Sequence, residues 1–144
     1  MQALDKELRS KLEKTVKDAR DVAENGARAA LKQIGVGDKK RADFLTDEQV
    51  ELRVHLRARG RQLGDTLHNN DAQDIEHLVR EVAYEHWHRM LFARYLAANN
   101  LLMHPEFGMP VTLDDCEELA DEEGARDGFA LAARYATDML PQIF

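Results

Sequence analysis

The chain has 144 residues, which is long enough for one domain with a hydrophobic core. Its net charge of −7 argues against a protein that coats nucleic acid with its whole surface, and leaves room only for a local basic strip. A single cysteine, Cys116, excludes an internal disulfide framework, and the charged N-terminus has no apolar secretion signal. We therefore expect a cytoplasmic protein. No membrane partner is expected, because no segment approaches the roughly 18 apolar residues of a membrane span.

The first predicted element is a helix over residues 2–34. Apolar residues recur on one face at steps of three and four: Leu4, Leu8, Leu12, Val16, Ala19, Ala23, Ala27, Ala30 and Ile34. This stripe changes from leucine to alanine partway along, which lets a neighbour approach more closely there. Asn25-Gly26 is a point where the helix is expected to bend or stop. Glycines at positions 35 and 37 are expected to end it.

Two further helices follow. Thr46 and Gln49 have the spacing of a capping box, which predicts a helix from there to about Leu63. The longest predicted helix spans residues 71–99, with Asp71 as its N-cap. Apolar residues occur on all of its faces in the second half: Trp87, Leu91, Phe92, Tyr95 and Leu96. A helix that is apolar nearly all round is expected to be central and surrounded by neighbours.

The last third predicts two shorter helices. Thr112 and Asp115 form a second capping box, which opens an acidic helix to about Glu123. A final helix from about Arg126 to Met139 is expected to bury these residues: Phe129, Ala132, Ala133, Ala136 and Leu140. Strand-like alternation is not found. The prediction is therefore an all-α fold, a single domain over residues 1–144 with about five helices around the central one.

The sequence offers little catalytic chemistry. The G-x-G at residues 35–37 lacks the preceding strand and third glycine of a nucleotide-binding loop. Residues 85–88 contain one E-x-x-H, but a di-iron site needs a second such motif, and His86 and His88 diverge around the helix. Cys116 lies among carboxylates that disfavour its thiolate. We therefore assign no catalytic, metal-binding or cofactor-binding residue.

A basic strip is the most informative local feature. Arg53, Arg57 and Arg61 lie one helical turn apart on one face, and Lys39, Lys40 and Arg41 precede them. Residues 39–61 hold seven basic residues against four acidic ones. Arginines at this spacing could contact successive phosphates of a DNA backbone. The alternative is a solvent-facing stripe paired with carboxylates of neighbouring helices.

The segment at residues 83–96 carries a resemblance to a known family. The residues that match are Ala83, Tyr84, Trp87, Arg89, Ala93, Arg94, Tyr95 and Leu96. In this pattern the segment resembles a helix near the N-terminus of large adenine-specific DNA methyltransferases. These are the PglX-like enzymes of BREX and DISARM phage-defence systems and the Eco57I-type restriction–modification enzymes. The flanks at residues 99–106, 110–120 and 132–144 are similar as well.

The resemblance implies a longer protein. In the family, a helical N-terminal part precedes a Rossmann-like domain that binds S-adenosylmethionine and methylates adenine N6 with an Asn-Pro-Pro-Tyr/Phe signature. The three prolines here are not adjacent, so the signature is absent and no catalytic residue is transferred. The apolar ending at residues 140–144 also predicts that this chain is the N-terminal part of a longer protein.

On this interpretation the chain is a non-catalytic accessory domain. Its implied partners are the catalytic domain of the same protein and double-stranded DNA, and S-adenosylmethionine is expected for the parent enzyme but not for this segment. The matched residues Tyr84, Trp87, Arg89, Arg94 and Tyr95 form either a structural network or a surface that touches DNA or the rest of the enzyme. The alternative function is a free-standing interaction module that dimerises or docks through its first helix or its acidic helix. The oligomeric state is left open.

Overall fold

The computed structural model describes residues 3–142, which form five α-helices and no β-strand. The helices are α1 (Lys6–Ile34), α2 (Asp47–Leu63), α3 (Glu76–Ala98), α4 (Leu113–Leu119) and α5 (Gly128–Met139). The predicted all-α class is therefore confirmed. None of these helices is long and apolar enough to cross a lipid bilayer.

Both predicted capping boxes are confirmed. The Thr46 hydroxyl accepts from the Gln49 amide at the start of α2, and Thr112 does the same for Asp115 at the start of α4. Each third residue also accepts from the amide of its threonine, so the two exposed donors of each helix start are satisfied together. The glycine stop of α1 is confirmed too, since Gly35 has a φ of 74°, a conformation that glycine adopts without steric cost.

The chain divides into two compact units, Met1–Glu85 and His86–Phe144, with the boundary inside α3. The core of the first unit joins the C-terminal part of α1 to the first half of α3. Its buried residues are Ala27, Leu31, Val36, Leu78, Val79 and Ala83. Half-buried leucines of α2, Leu56 and Leu63, pack against this cluster.

The core of the second unit is larger. Its buried residues come from the second half of α3, the following connector, α4 and α5: Ala93, Leu96, Ala97, Leu102, Val111, Cys116, Leu131, Ala132, Tyr135 and Ala136. Gly128 lets α5 begin very close to α4. A Cβ atom there would lie 2.8 Å from the Glu117 backbone nitrogen, a distance that forces a shift in the backbone.

The predicted start of the central helix at Asp71 is wrong. Asp71 has a φ of 68° and lies in a turn, and regular helix begins only at Glu76. The first-turn amides of His77 and Leu78 donate instead to the carboxylate of Asp65, over 2.9 and 3.1 Å. Asp65 is buried and reaches this helix end from the turn after α2, a connection that local spacing cannot reveal.

The predicted burial of the central helix on all sides is also wrong. Leu91 and Tyr95 are 52% and 56% exposed, because the second unit packs only against the α3 face that carries Ala93, Leu96 and Ala97. Trp87 and Phe92 are half-buried, and His86 is exposed. Phe129 of α5, also expected inside, is more than a third exposed.

The first helix differs from its prediction in two ways. It passes through Asn25 and Gly26 as regular helix, so the expected bend or stop there is wrong. Its predicted apolar stripe is buried only toward the C-terminal end, and Leu4, Leu8, Leu12 and Val16 are exposed. Of the apolar chain end, Ile143 and Phe144 lie outside the described residues, as does residue 2 of the predicted helix.

Candidate functional site

The predicted basic strip is a hydrogen-bonded arginine network in the first unit. Arg53 is buried, and its guanidinium donates to the carbonyl oxygens of Gly35 and Asp38 over 2.9 and 2.6 Å. These carbonyls belong to the turn that ends α1. Arg53 therefore connects α2 to that turn. Its hydrogen bonds come from a charged donor and are stronger than hydrogen bonds between neutral groups.

Arg57 extends the network by one helical turn. Its guanidinium donates to the carbonyls of Val36 and Asp38, and on its other side to the carbonyl of Asp71 over 2.6 Å. Arg61 donates to the side chain of Gln73 over 3.1 Å, and that buried amide in turn donates to the Arg57 carbonyl. The three arginines thus lie on one face, as predicted, and that face holds two loops together.

The groups that accept hydrogen bonds from Arg53 and Arg57 do not neutralise the positive charge of these two side chains. Backbone carbonyls accept the hydrogen bonds of Arg53 and Arg57, and no carboxylate forms an ion pair with either of them among the described residues. Partial burial and the neighbouring charges of Arg53 and Arg61 lower the pKa of Arg57. A guanidinium pKa lies so high that Arg57 remains charged near neutral pH.

The predicted DNA contacts separate into two groups by exposure. Lys39, Lys40 and Arg41 lie exposed in the loop after α1, and Arg61 is exposed on α2. Arg53 is buried and Arg57 half-buried, with their donors on carbonyls. Contact between this strip and phosphates stays a prediction. Of the exposed residues, Lys39, Lys40 and Arg41 could reach a phosphate without breaking a hydrogen bond of this network, whereas Arg61 is bonded to Gln73.

The residues on which the expected resemblance to methyltransferases was based lie partly outside the core of the chain. Arg89, Arg94 and Tyr95 are exposed on α3, and Trp87 is half-buried. Tyr84, in the first unit, is also exposed. The ring of Phe92 stacks on that of Tyr95 at 6.2 Å, which connects the exposed tyrosine to a side chain packed on the core of the second unit.

A polar cluster that the sequence did not predict centres on Glu123 in the second unit. One carboxylate oxygen accepts from the Tyr135 hydroxyl over 2.6 Å and lies 3.2 Å from Nε2 of His104. The other accepts from Arg134 over 3.0 Å. These bonds, led by that of Tyr135, lower the pKa of Glu123. Burial and the same carboxylate raise the pKa of Tyr135.

The geometry of this cluster fits a structural role. Nδ1 of the buried His104 accepts from the amides of Glu106 and Phe107, so Nε2 carries the hydrogen and donates to Glu123. Both ring nitrogens therefore take part in hydrogen bonds within the protein.

Cys116 is fully buried, and burial, with Asp115 and Glu123 nearby, raises its pKa to about 11. Such a thiol is protonated at neutral pH and is a poor nucleophile.

Residue spacing could not have indicated this cluster. Its members come from the connector before α4, the turn after α4 and the body of α5, and only packing brings them together. Between residues 3 and 142, no three histidine, cysteine, aspartate or glutamate side chains are grouped so as to hold a metal ion. No protein-family model, curated protein or solved structure matches the chain.

Proposed function

We propose that this chain is a non-catalytic helical accessory domain that docks onto the catalytic domain of an adenine-specific DNA methyltransferase. Two observations support a docking role over catalysis. The polar side chains that cluster in the structure form hydrogen bonds that connect its loops and helices, as Arg53 and Glu123 do. The side chains by which α3 resembles the family, by contrast, include several that the chain leaves exposed.

The exposure of Arg89, Arg94 and Tyr95 is the observation that carries the proposal. The buried matches, Ala93 and Leu96, are explained by packing within the second unit. Packing does not explain why the exposed ones resemble the family, whereas contact with another part of a longer protein does. Arginine and tyrosine are also residue types that dominate binding energy at protein interfaces.

A test uses the complete protein that the gene encodes. Methyl transfer from S-adenosylmethionine to adenine N6 of duplex DNA is measured for wild type and for Arg94→Ala with Tyr95→Ala. We expect a loss of about tenfold or more, since truncating a central arginine or tyrosine of an interface costs about 2 kcal/mol or more. The matched control, Arg126→Ala with Phe107→Ala, removes an exposed arginine and an exposed aromatic ring elsewhere in the same unit.

The possible outcomes have different consequences. Wild-type activity in the double variant would remove the α3 surface from the proposal. Absence of any methyl transfer by the complete protein would overturn the methyltransferase assignment itself. Contact between the exposed basic residues 39–41 and the DNA backbone belongs to the same proposal and is tested separately below.

A second candidate function is a free-standing interaction module, and one specific observation favours it. The N-terminal half of α1 presents exposed leucines, where an amphipathic helix normally buries its apolar face. Sedimentation of the isolated chain tests this candidate. A chain that stays monomeric and binds no other protein would argue against it.

A further inference from the structure

We propose that His104 holds the tip of the loop at residues 105–108 closed while its imidazole is neutral, and that proton uptake at Nδ1 releases this tip. The loop belongs to the connector between α3 and α4. The inference goes beyond the accessory role proposed above and does not depend on the methyltransferase assignment. It starts from the direction of the hydrogen bonds at one ring nitrogen.

The base of the loop is held by backbone hydrogen bonds. The amide of His104 donates to the carbonyl of Met109 over 2.9 Å, and the amide of Gly108 donates to the carbonyl of His104 over 2.9 Å. One step further out, the amide of Val111 donates to the carbonyl of Leu102 over 2.8 Å. Backbone amides and carbonyls do not titrate near neutral pH, so these bonds do not respond to pH in that range.

The tip of the loop depends on the imidazole instead. Nδ1 of His104 accepts from the amide of Glu106 over 3.2 Å and from the amide of Phe107 over 3.3 Å. A ring nitrogen accepts only through its lone pair, and a proton bound at Nδ1 occupies that lone pair. The new N–H would then point at two other N–H groups. Protonation of Nδ1 and these two hydrogen bonds therefore exclude each other, and the tip must move for its two amides to find water.

The opposite side of the ring faces a carboxylate. Oε1 of Glu123, in the turn after α4, lies 3.2 Å from Nε2 of His104, and Arg134 of α5 donates to the other oxygen. Hydrogen bonds, of which that from Tyr135 has the largest effect, lower the pKa of Glu123. Glu123 is therefore ionised throughout the pH range in which histidine ordinarily takes up a proton. It accepts from Nε2 in both forms of the ring and stabilises the imidazolium, so the ring stays in place while the tip moves.

The other titratable groups of the cluster stay neutral in this range. The ring of Tyr135 lies edge-on to that of His104 with the centroids 5.3 Å apart, and burial, with the hydrogen bond to Glu123, raises the pKa of Tyr135. Burial also raises the pKa of Cys116, on α4, to about 11. The side chain of Glu106, on the loop itself, is exposed. Histidine is thus the group of this cluster that changes charge between pH 5 and 8.

The direction of the pH effect follows from proton linkage. The closed loop cannot bind a proton at Nδ1 and the open loop can, so a falling pH favours the open loop. Below the pH at which the open form is protonated, the equilibrium constant for opening rises by up to about tenfold for each pH unit. The Phe107 ring, which is 71% exposed and lies 4.5 Å from the His104 ring, leaves with the tip. Mild acid therefore changes how this exposed aromatic side chain is presented.

The test is amide hydrogen exchange of the wild-type chain, measured by NMR from about pH 8 to about pH 5 and corrected for the intrinsic pH dependence of exchange. The protection of the Glu106 and Phe107 amides should fall by up to about tenfold for each pH unit, in parallel with the titration of the His104 ring signals. The Val111 amide is the internal control. It belongs to the same connector but donates to a carbonyl, so its protection should not change.

Two variants of His104 separate the roles of its ring nitrogens. His104→Asn places an oxygen where Nδ1 lies, which accepts from the two amides as in an Asx turn and does not titrate. Its tip should stay protected at every pH. His104→Gln places a polar group where Nε2 lies and can still donate to Glu123, but it removes the acceptor of the tip. Its tip should exchange rapidly at every pH. Should either variant fail to fold, the wild-type titration decides the question alone.

Three results would overturn the inference. The first is equal protection of the Glu106 and Phe107 amides at both ends of the pH range. The second is a fall in protection that Val111 shares, which would indicate general unfolding. The third is the same pH-dependent fall in His104→Asn, whose side chain cannot take up the proton. None of them bears on adenine methylation by the complete protein, so failure here and failure of the proposed function are distinguishable.

Discussion

Tyr135 donates its phenolic hydrogen to the Glu123 carboxylate over 2.6 Å and so connects the buried side of α5 to the turn after α4. The same oxygen lies within hydrogen-bonding distance of His104, which holds the connector before α4. One carboxylate therefore ties together three segments of the second unit. Its ionised form is the one that accepts all of these bonds, which makes the stability of the unit sensitive to acid.

The first prediction concerns that acid sensitivity. The pKa of Glu123 is lowered in the folded state, so its contribution to the free energy of unfolding is present above the ordinary pKa of glutamate. The contribution is lost as pH falls through the lowered value. Urea unfolding followed by circular dichroism from about pH 5 to about pH 3 should show a smaller loss of stability for Glu123→Gln than for wild type. Glu122→Gln, an exposed neighbour, should follow wild type, and equal slopes for all three proteins would contradict the role of Glu123.

The second prediction concerns Cys116. Its pKa is raised to about 11, mainly by burial, so the native chain should resist alkylation by iodoacetamide at about pH 8. Mass spectrometry should find complete modification once guanidinium unfolds the chain. Rapid labelling of the native protein would mean that α4 opens far more readily than its packing indicates.

The third prediction concerns Arg53. Arg53→Ala leaves the carbonyls of Gly35 and Asp38 without their charged donor and should lower the free energy of unfolding by about 2–4 kcal/mol. Arg59→Ala is the control, since Arg59 forms an exposed ion pair with Glu81 that contributes less than about 1 kcal/mol. Urea titrations that show a similar loss of unfolding free energy for the two variants would contradict a stabilising role for the hydrogen bonds from Arg53 to these two carbonyls.

The fourth prediction compares two helical glycines. Gly128→Ala places a methyl group against the Glu117 backbone and should destabilise the chain by about 1–3 kcal/mol. Gly26 lies inside α1, and apart from the neighbouring backbone of its own helix no atom comes within 4 Å of a Cβ added there. Gly26→Ala should therefore stabilise the chain by about 0.5–1 kcal/mol, through helix propensity. Thermal unfolding of both variants checks the opposite signs, and a shift of the same sign in both would refute this explanation.

The fifth prediction concerns DNA. Changing Lys39, Lys40 and Arg41 together to alanine should weaken binding to non-specific duplex DNA and reduce its salt dependence, by up to about 0.9 in slope for each phosphate that is no longer neutralised. These residues are exposed, so the change tests binding without releasing the Arg53 network. The control removes equal charge from α1 by Lys6→Ala, Lys14→Ala and Lys17→Ala. Fluorescence anisotropy that shows no difference between the two triple variants would remove the strip from the proposal.

The sequence was most informative where structure is decided locally. The capping boxes at Thr46 and Thr112 and the stop at Gly35 depend on residues within one turn of each other, and all three are confirmed. Periodicity also placed Arg53, Arg57 and Arg61 on one face. It could not show that this face lies against the turn after α1, because the side on which a neighbour packs is a tertiary property.

The predictions that failed depended on distant segments. Asp65 replaces Asp71 at the start of α3 because the chain turns back between them, and nothing in local spacing reports that return. Leu91 and Tyr95 are large side chains of a kind found in cores, yet only the face of α3 that carries Ala93, Leu96 and Ala97 packs against the rest of the second unit. The Glu123 cluster was missed for the same reason, since its members are far apart in sequence and ordinary in type.

The proposed docking role depends on whether this chain continues into a methyltransferase. The most direct measurement is the nucleotide sequence of the gene beyond the codon for Phe144. We predict an open frame that runs on into a Rossmann-like domain with an S-adenosylmethionine-binding loop and an Asn-Pro-Pro-Tyr or Asn-Pro-Pro-Phe motif. A stop codon directly after Phe144, with no methyltransferase frame downstream, would contradict the account.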